Sequence, residues 1–171
     1  MLIFLDGKIM VVEITEEKAK RRITEDILSA LPQWFGVPES IQVYVRQCVN
    51  APFFAYQHNG EYIGFVFLKL HNDFSAEICA MGVLKEYHRQ GIGTMLINKC
   101  VDYCNNHKIE FLQVKTLDNS YCDYYKITRD FYAAMGFKLL ERIPTLWSEE
   151  NPCLIMIMHI GCQLSRFQAI K

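Results

Sequence analysis

The sequence predicts an α/β domain with a mixed, mainly antiparallel central sheet flanked by helices. Three observations carry that prediction. Short runs rich in β-branched and aromatic residues alternate with segments of helical period, as in strands and helices that share one core. Two of the runs, 62–70 and 77–84, are apolar on both faces, which suits strands covered from both sides. Asn59-Gly60 separates 53–57 from 62–70 and fits a tight primed turn, so these two strands form a hairpin.

Residues 8–14 (KIMVVEI) form the first strand, and Asp6-Gly7 ahead of them is a hairpin signal toward LIFL. Thr15 caps a helix that has Glu16 and Glu17 in its first turn, carries the stripe Ala19, Ile23, Ile27, Leu28 and Leu31, and stops at Pro32. Trp34 and Phe35 stand in the linker. A second helix starts near Pro38 and runs to Val49, with Ile41, Tyr44, Val45 and Cys48 on one face. After the strands at 53–57, 62–70 and 77–84 the period changes, and Ile92, Leu96, Cys100, Val101 and Cys104 mark a helix ending near His107. Residues 111–116 are a strand and 126–135 a short helix closed by Gly136 at a left-handed position; 137–143 and 154–160 complete the sheet.

With 171 residues, 51% of them hydrophobic, the chain can bury one sizeable core; 1–160 reads as one domain and 161–171 as a tail. A net charge of -1 from 18 basic and 19 acidic side chains leaves no surplus to neutralise a phosphate backbone, so no nucleic-acid partner is expected. No apolar run approaches the length of a bilayer span, so no membrane partner is expected either. The opening MLIFLDGKIM has neither the basic segment nor the cleavage site of a secretory signal, and a cytoplasmic location is the expectation. Seven cysteines in apolar contexts suit buried thiols better than a disulfide framework. Cys100 and Cys104 lack a second pair or a spaced His, so no metal is expected.

The most informative stretch is 81–96 (MGVLKEYHRQGIGTML). A buried strand enters a basic, glycine-containing turn, and the turn opens a helix whose first N–H groups have no partner within the helix. Such a start attracts anions, and Gly91 and Gly93 let a phosphate approach the backbone. GIG lacks the third spaced glycine of a dinucleotide fingerprint, and the Gly-Lys-Ser/Thr ending of a P-loop is missing.

These residues resemble the central signature of the GCN5-related N-acetyltransferase (GNAT) superfamily, Gln/Arg-x-x-Gly-x-Gly/Ala after the fourth strand, at His88, Gly91 and Gly93. DFYAAMGF at 130–137 is similar to the superfamily helix that contains Phe-Tyr and closes at Gly-Phe, and the element order matches from about Ile9 to Ile160. The resemblance implies an acyl-CoA acyltransferase fold with strands four and five splayed, and direct transfer of an acetyl group from acetyl coenzyme A to a primary amine, without a metal. It implies that Met81, Gly82 and Val83 bind the pantetheine arm and that His88, Arg89, Gln90, Gly91, Ile92, Gly93 and Thr94 hold the pyrophosphate. Gly82 suits the bulge used for the splay. His88 stands where the family has Gln or Arg. The family's asparagine ahead of the Phe-Tyr pair has no direct match: Tyr125 occupies its spacing, and Asn119 lies further upstream, so both are candidates for the coenzyme side.

Tyr132 resembles the family's general acid, and Glu77, on the fourth strand, is the candidate base, acting directly or through water. His58, His71 and His107 read as surface residues. The acceptor side gathers Trp34, Asp118, Tyr121, Asp123, Tyr124, Trp147, Glu149 and Glu150, aromatics and carboxylates that suit a small cationic amine. A protein N-acetyltransferase and a non-catalytic acetyl coenzyme A-binding module are the competing readings. A homodimer is a common expectation within the family.

Overall fold

The computed structural model describes residues 10–118 and 123–161. Seven strands and four α-helices follow one another as β1 (Met10–Glu13), α1 (Glu17–Ser29), α2 (Pro38–Gln47), β2 (Phe53–His58), β3 (Glu61–Asn72), β4 (Ser75–Val83), α3 (Ile92–Asn106), β5 (Phe111–Leu117), α4 (Asp123–Ala134), β6 (Lys138–Ser148) and β7 (Asn151–His159). A single turn of 3-10 helix, Lys85–Tyr87, joins β4 to the glycine turn and was not expected from sequence. The Asp6-Gly7 hairpin signal and the tail beyond Gly161 lie outside the described residues.

All seven strands form one sheet in the order β1-β2-β3-β4-β5-β7-β6. Every neighbouring pair is antiparallel except β4 and β5, which run parallel because α3 carries the chain back between them. The helices divide between the two faces. Ile23, Ile27 and Leu28 of α1 and Ile41 and Val45 of α2 pack on Phe53, Phe65, Phe67 and Ala80. Leu96, Ile97, Cys100 and Cys104 of α3, with Tyr132 of α4, pack on Phe54, Val66, Leu68, Ile78, Leu112 and Val114. This two-sided cover explains the doubly apolar runs in β3 and β4. Each fully buried Phe in it is worth roughly 1.5–3 kcal/mol.

Two local expectations are corrected. Glu16, not Thr15, is the N-cap of α1, in extended conformation with no side-chain cap bond. The helix is held by tertiary contacts instead: the buried Lys20 ammonium donates to the carbonyls of Val49 at 3.0 Å and Ala51 at 2.7 Å, joining α1 to the segment after α2. The bulge in β4 is not at Gly82. Phe67 pairs with Ala80 and Leu68 with Ile78, which leaves Cys79 as the extra residue. Gly82 pairs in register with Phe65, and a Cβ there would meet Ile27 at 2.9 Å. Gly82 therefore lets α1 approach the sheet. The five described cysteines, 48, 79, 100, 104 and 153, are free thiols, as expected.

Candidate active site

The parallel ladder between β4 and β5 is short. It runs from Ser75 paired with Phe111 to Ile78 paired with Val114, while β4 continues to Val83 and β5 to Leu117. Beyond Ile78 the strands separate into a wedge, and the bulge at Cys79 marks its apex. The extra residue also exchanges the faces of β4: Ala76 and Ile78 point toward α3, whereas Ala80 points toward α1.

The glycine turn closes one end of the wedge. Arg89 and Gly91 both have left-handed backbone, at φ 64 and 80, and Gly91 is the N-cap of α3. Met95 makes the first helical bond, to the Gly91 carbonyl. Among the described residues the six amides from Arg89 to Thr94 donate to no backbone or side-chain acceptor, leaving an amide cradle of the kind that attracts anions at a helix start. A Cβ on Gly91 would meet nothing within 4 Å, and its left-handed backbone is what demands glycine. Gly93 has a packing role besides the phosphate access expected of it. A Cβ there would lie 3.0 Å from the Phe131 ring, so Gly93 lets α3 pack against α4. The His88 side chain is also committed elsewhere: its Nε2–H donates to the Val83 carbonyl at 2.7 Å. Its amide donates to Lys85. Arg89 and Gln90 remain exposed at the turn.

Glu77 lies one residue before the last β4–β5 pair, on the face covered by α1 and α2, and is 7% exposed. It is neither solvated nor alone. Lys115 donates to Oε2 at 2.7 Å, His71 Nε2 lies 2.7 Å from the same oxygen, and the Gln113 amide donates at 3.3 Å. Burial works to raise the Glu77 carboxyl, but the bonds and charges of Lys115 and His71 outweigh it and hold the group below the usual carboxylate range. His71 is exposed, as read from sequence, yet its ring joins this cluster. Gln113 and Lys115 were not singled out from sequence; the alternation in FLQVKTL puts them on one face of β5, and the parallel register brings Glu77 opposite. Next to Glu77, the Cys79 thiol donates to Gln47 of α2 at 3.3 Å and is pushed up to about 11, chiefly by burial.

Tyr132 projects from α4 into the core on the opposite face of the sheet. It is 5% exposed, with the rings of Phe131 and Phe137 each at 5.4 Å. Burial, with a smaller contribution from Cys100, pushes its phenol far above the ordinary tyrosine value, so it keeps its proton throughout the neutral range.

Trp34 bridges the elements around the wedge. Its indole donates to Thr128 of α4 at 3.1 Å, its ring lies 5.1 Å from Tyr124 and 5.7 Å from His88, and its carbonyl accepts from the Tyr125 hydroxyl at 2.8 Å. The linker after α1 is thereby fastened to α4 and to the glycine turn. The remaining acceptor candidates do not converge on it. Asp118 pairs with Arg142 of β6 at 3.1 Å. Asp123 is exposed at the start of α4, and Trp147, Glu149 and Glu150 are exposed at or beside the β6–β7 turn. Asn119 and Tyr121 lie outside the described residues. Among the described residues no group of three or more His, Cys, Asp or Glu is placed to hold a metal ion, and no helix is long and apolar enough to cross a membrane.

A mixed sheet whose parallel pair opens into a wedge beside an amide cradle defines the class of acyl-coenzyme A transferases. The profile of the Acetyltransferase (GNAT) family matches residues 21–137, more than half of the chain, and the chain belongs to that family. It is an N-acetyltransferase that uses acetyl coenzyme A as donor. No curated protein sequence matches it. Solved structures are similar in fold. A protein assigned to the GNAT family from Desulfovibrio desulfuricans superposes with a TM-score of 0.79 at 12% identity, over 90% of this chain and 99% of its own. The ribosomal-protein-S18-alanine N-acetyltransferase from Escherichia coli gives 0.72 at 16% identity, over 94% and 100%. The aminoglycoside 6'-N-acetyltransferase from Enterococcus faecium gives 0.71 at 18%, over 89% and 97%. At these identities the likeness is one of fold.

Proposed function

We propose that the enzyme transfers the acetyl group directly to the primary amine of a small, positively charged acceptor, with Tyr132 as general acid and Glu77 as base. The observation that supports this most is the placement of these two groups on opposite faces of the sheet around the β4–β5 wedge, one holding a proton and the other ionised. The pyrophosphate of the donor is assigned to the amides of 89–94, and its pantetheine arm to the free edge of β4 at Met81, Gly82 and Val83. The acceptor approaches from the α1–α2 face. Its neutral nitrogen bonds to the acetyl carbon, the carbon–sulfur bond breaks with its electron pair on sulfur, and Tyr132 gives sulfur a proton. The proton lost from nitrogen passes to Glu77, directly or through a water.

One feature favours a small acceptor over an open peptide groove. Trp34, Tyr124, Tyr125 and Thr128 tie the linker to α4 and narrow the approach. Cation preference rests on Asp123, Glu149 and Glu150, since Asp118 is already neutralised by Arg142 and Glu77 by Lys115. Mass spectrometry of products from acetyl coenzyme A and a panel of amines and peptides tests the assignment. Acetylated small polyamines or amino sugars are the expected products, and acetylation confined to peptide amino termini would replace this reading by the protein-modifying one.

A further inference from the structure

Two buried hydroxyls, Thr24 and Thr116, find no hydrogen-bond partner among the described residues. Thr24 lies within α1 and faces the Cys48 thiol, a weak partner that softens its isolation. Thr116 has no comparable neighbour. It is 4% exposed and lies on β5 two residues beyond Val114, the last β5 residue paired with β4. On its other edge the strand still pairs, Thr116 with Leu154 of β7, so the backbone here is fixed. Strand alternation directs its side chain to the face of Leu112 and Val114, which is also the face of Tyr132. A valine has the same shape and would fill this position without an orphaned hydroxyl, and a buried polar group without a partner costs stability. The isolation is thus confined to the part of β5 that borders the wedge.

We propose that the Thr116 hydroxyl is a hydrogen-bond donor to the pantetheine arm of the coenzyme, meeting an amide carbonyl of the arm where it passes between the separated strands. The proposal rests on the acetyl coenzyme A reading above and deepens it. β4 offers the arm backbone groups from one side; Thr116 supplies a side-chain contact from the other. It is a binding residue, and its contribution falls on coenzyme affinity rather than on the proton transfers.

The test compares the unmodified chain with Thr116→Val and Thr116→Ser. Melting is measured without ligand, and calorimetric titrations use coenzyme A and the adenosine bisphosphate fragment that lacks the arm. Thr116→Val is expected to melt at or slightly above the unmodified temperature, to bind coenzyme A about three- to tenfold more weakly, and to bind the fragment unchanged. Thr116→Ser should restore most of the coenzyme affinity. Equal coenzyme A affinity in Thr116→Val, or equal losses for coenzyme A and the fragment, would overturn the proposal. A melting temperature well below the unmodified one would also overturn it, by showing that an internal partner such as a bound water satisfies the hydroxyl. If the unmodified chain bound neither probe, the coenzyme reading itself would fall, a result distinct from all of these.

Discussion

The two ends of the wedge are built by different means. The end proposed for the donor is a backbone construction: in one continuous segment, β4 through the first turn of α3, the amides of 89–94 have no acceptor among the described residues, and glycine is required by dihedral angle at Gly91. The end proposed for the acceptor is made of side chains from the linker after α1 and from β4, β5, α4 and β6, and most of its charges satisfy one another. Glu77 pairs with Lys115 and His71, and Asp118 with Arg142. A backbone site tolerates side-chain change except where the chain must enter the left-handed region. A side-chain site changes whenever one partner does.

The largest expected effect lies between the two ends. Tyr132→Phe keeps the ring packed between Phe131 and Phe137 and removes only the hydroxyl. Single-turnover acetyl transfer should fall about 10²- to 10⁴-fold with coenzyme affinity nearly unchanged. A chemical step as fast as in the unmodified enzyme would remove Tyr132 from catalysis. The raised phenol adds a pH statement. The neutral phenol favours the folded state below the unfolded value near 10, and that contribution is lost as pH rises toward the folded value. The alkaline fall in melting temperature should therefore be shallower in Tyr132→Phe.

Next come the two glycines of the turn, which a backbone site should separate. Gly91→Ala puts a Cβ into open space but strains the left-handed backbone; melting should fall by roughly 2–4 °C per kcal/mol of strain, and because relief of the strain moves the turn's amides, coenzyme affinity should fall about tenfold or more. Gly93→Ala pushes the Phe131 ring, adjacent to Tyr132, and should lower both melting temperature and turnover with less effect on coenzyme affinity. Identical profiles from the two variants would break the distinction.

Glu77→Gln probes the acceptor end. The carboxyl is lower in the folded state than the ordinary value, so it stabilises the fold above the unfolded value near 4.5, and that stability is lost as pH falls through the folded value. Glu77→Gln should flatten the acid limb of the melting profile and leave Lys115 without its partner. Turnover should fall about 10²-fold or more if Glu77 takes the amine proton. A normal rate with a flattened acid limb would assign Glu77 a purely structural role.

The same contrast governs what could be read from the chain. The order of elements and the glycine turn that opens α3 were legible because they depend on periodicity and on residues adjacent in sequence. The bulge was misplaced at Gly82 because a bulge is defined by the pairing of β4 with β3, and Cys79 carries no mark of it. Gly93 and His88 stood in the right motif, but the need for a missing Cβ at Gly93 is set by Phe131 and the place of the His88 ring by the Val83 carbonyl. Glu77 was found as a carboxylate of interest, whereas its partner Lys115 lies 38 residues away and could only be joined to it by the parallel register. Trp34 reaches 94 residues along the chain to Thr128, a contact no local pattern contains.

The smallest effect is expected from the peripheral carboxylates, and it decides how much of the acceptor preference is charge attraction at a distance. Asp118 is 24% exposed on its side chain and held by Arg142, so Asp118→Asn removes one negative charge but releases a positive one beside it. Glu149 and Glu150 stand exposed, and hydrogen bonds from its own backbone and from Ser148 hold Glu150 below the usual carboxylate range, fixing it in the β6–β7 turn as a charge. At physiological salt, attraction between exposed charges fades over about 8 Å. The joint change of Glu149 and Glu150 to Gln should lower kcat/KM for a polyamine by less than about threefold, with the difference vanishing at high salt. Asp118→Asn should alter the acceptor preference more than the rate, because the freed Arg142 repels a second positive charge on the acceptor. Comparing kcat/KM for matched mono- and polyamines across ionic strength separates these outcomes. Equal use of neutral and cationic amines by the unmodified enzyme, with neither variant changing it, would leave the acetyltransferase intact and remove charge from its choice of acceptor.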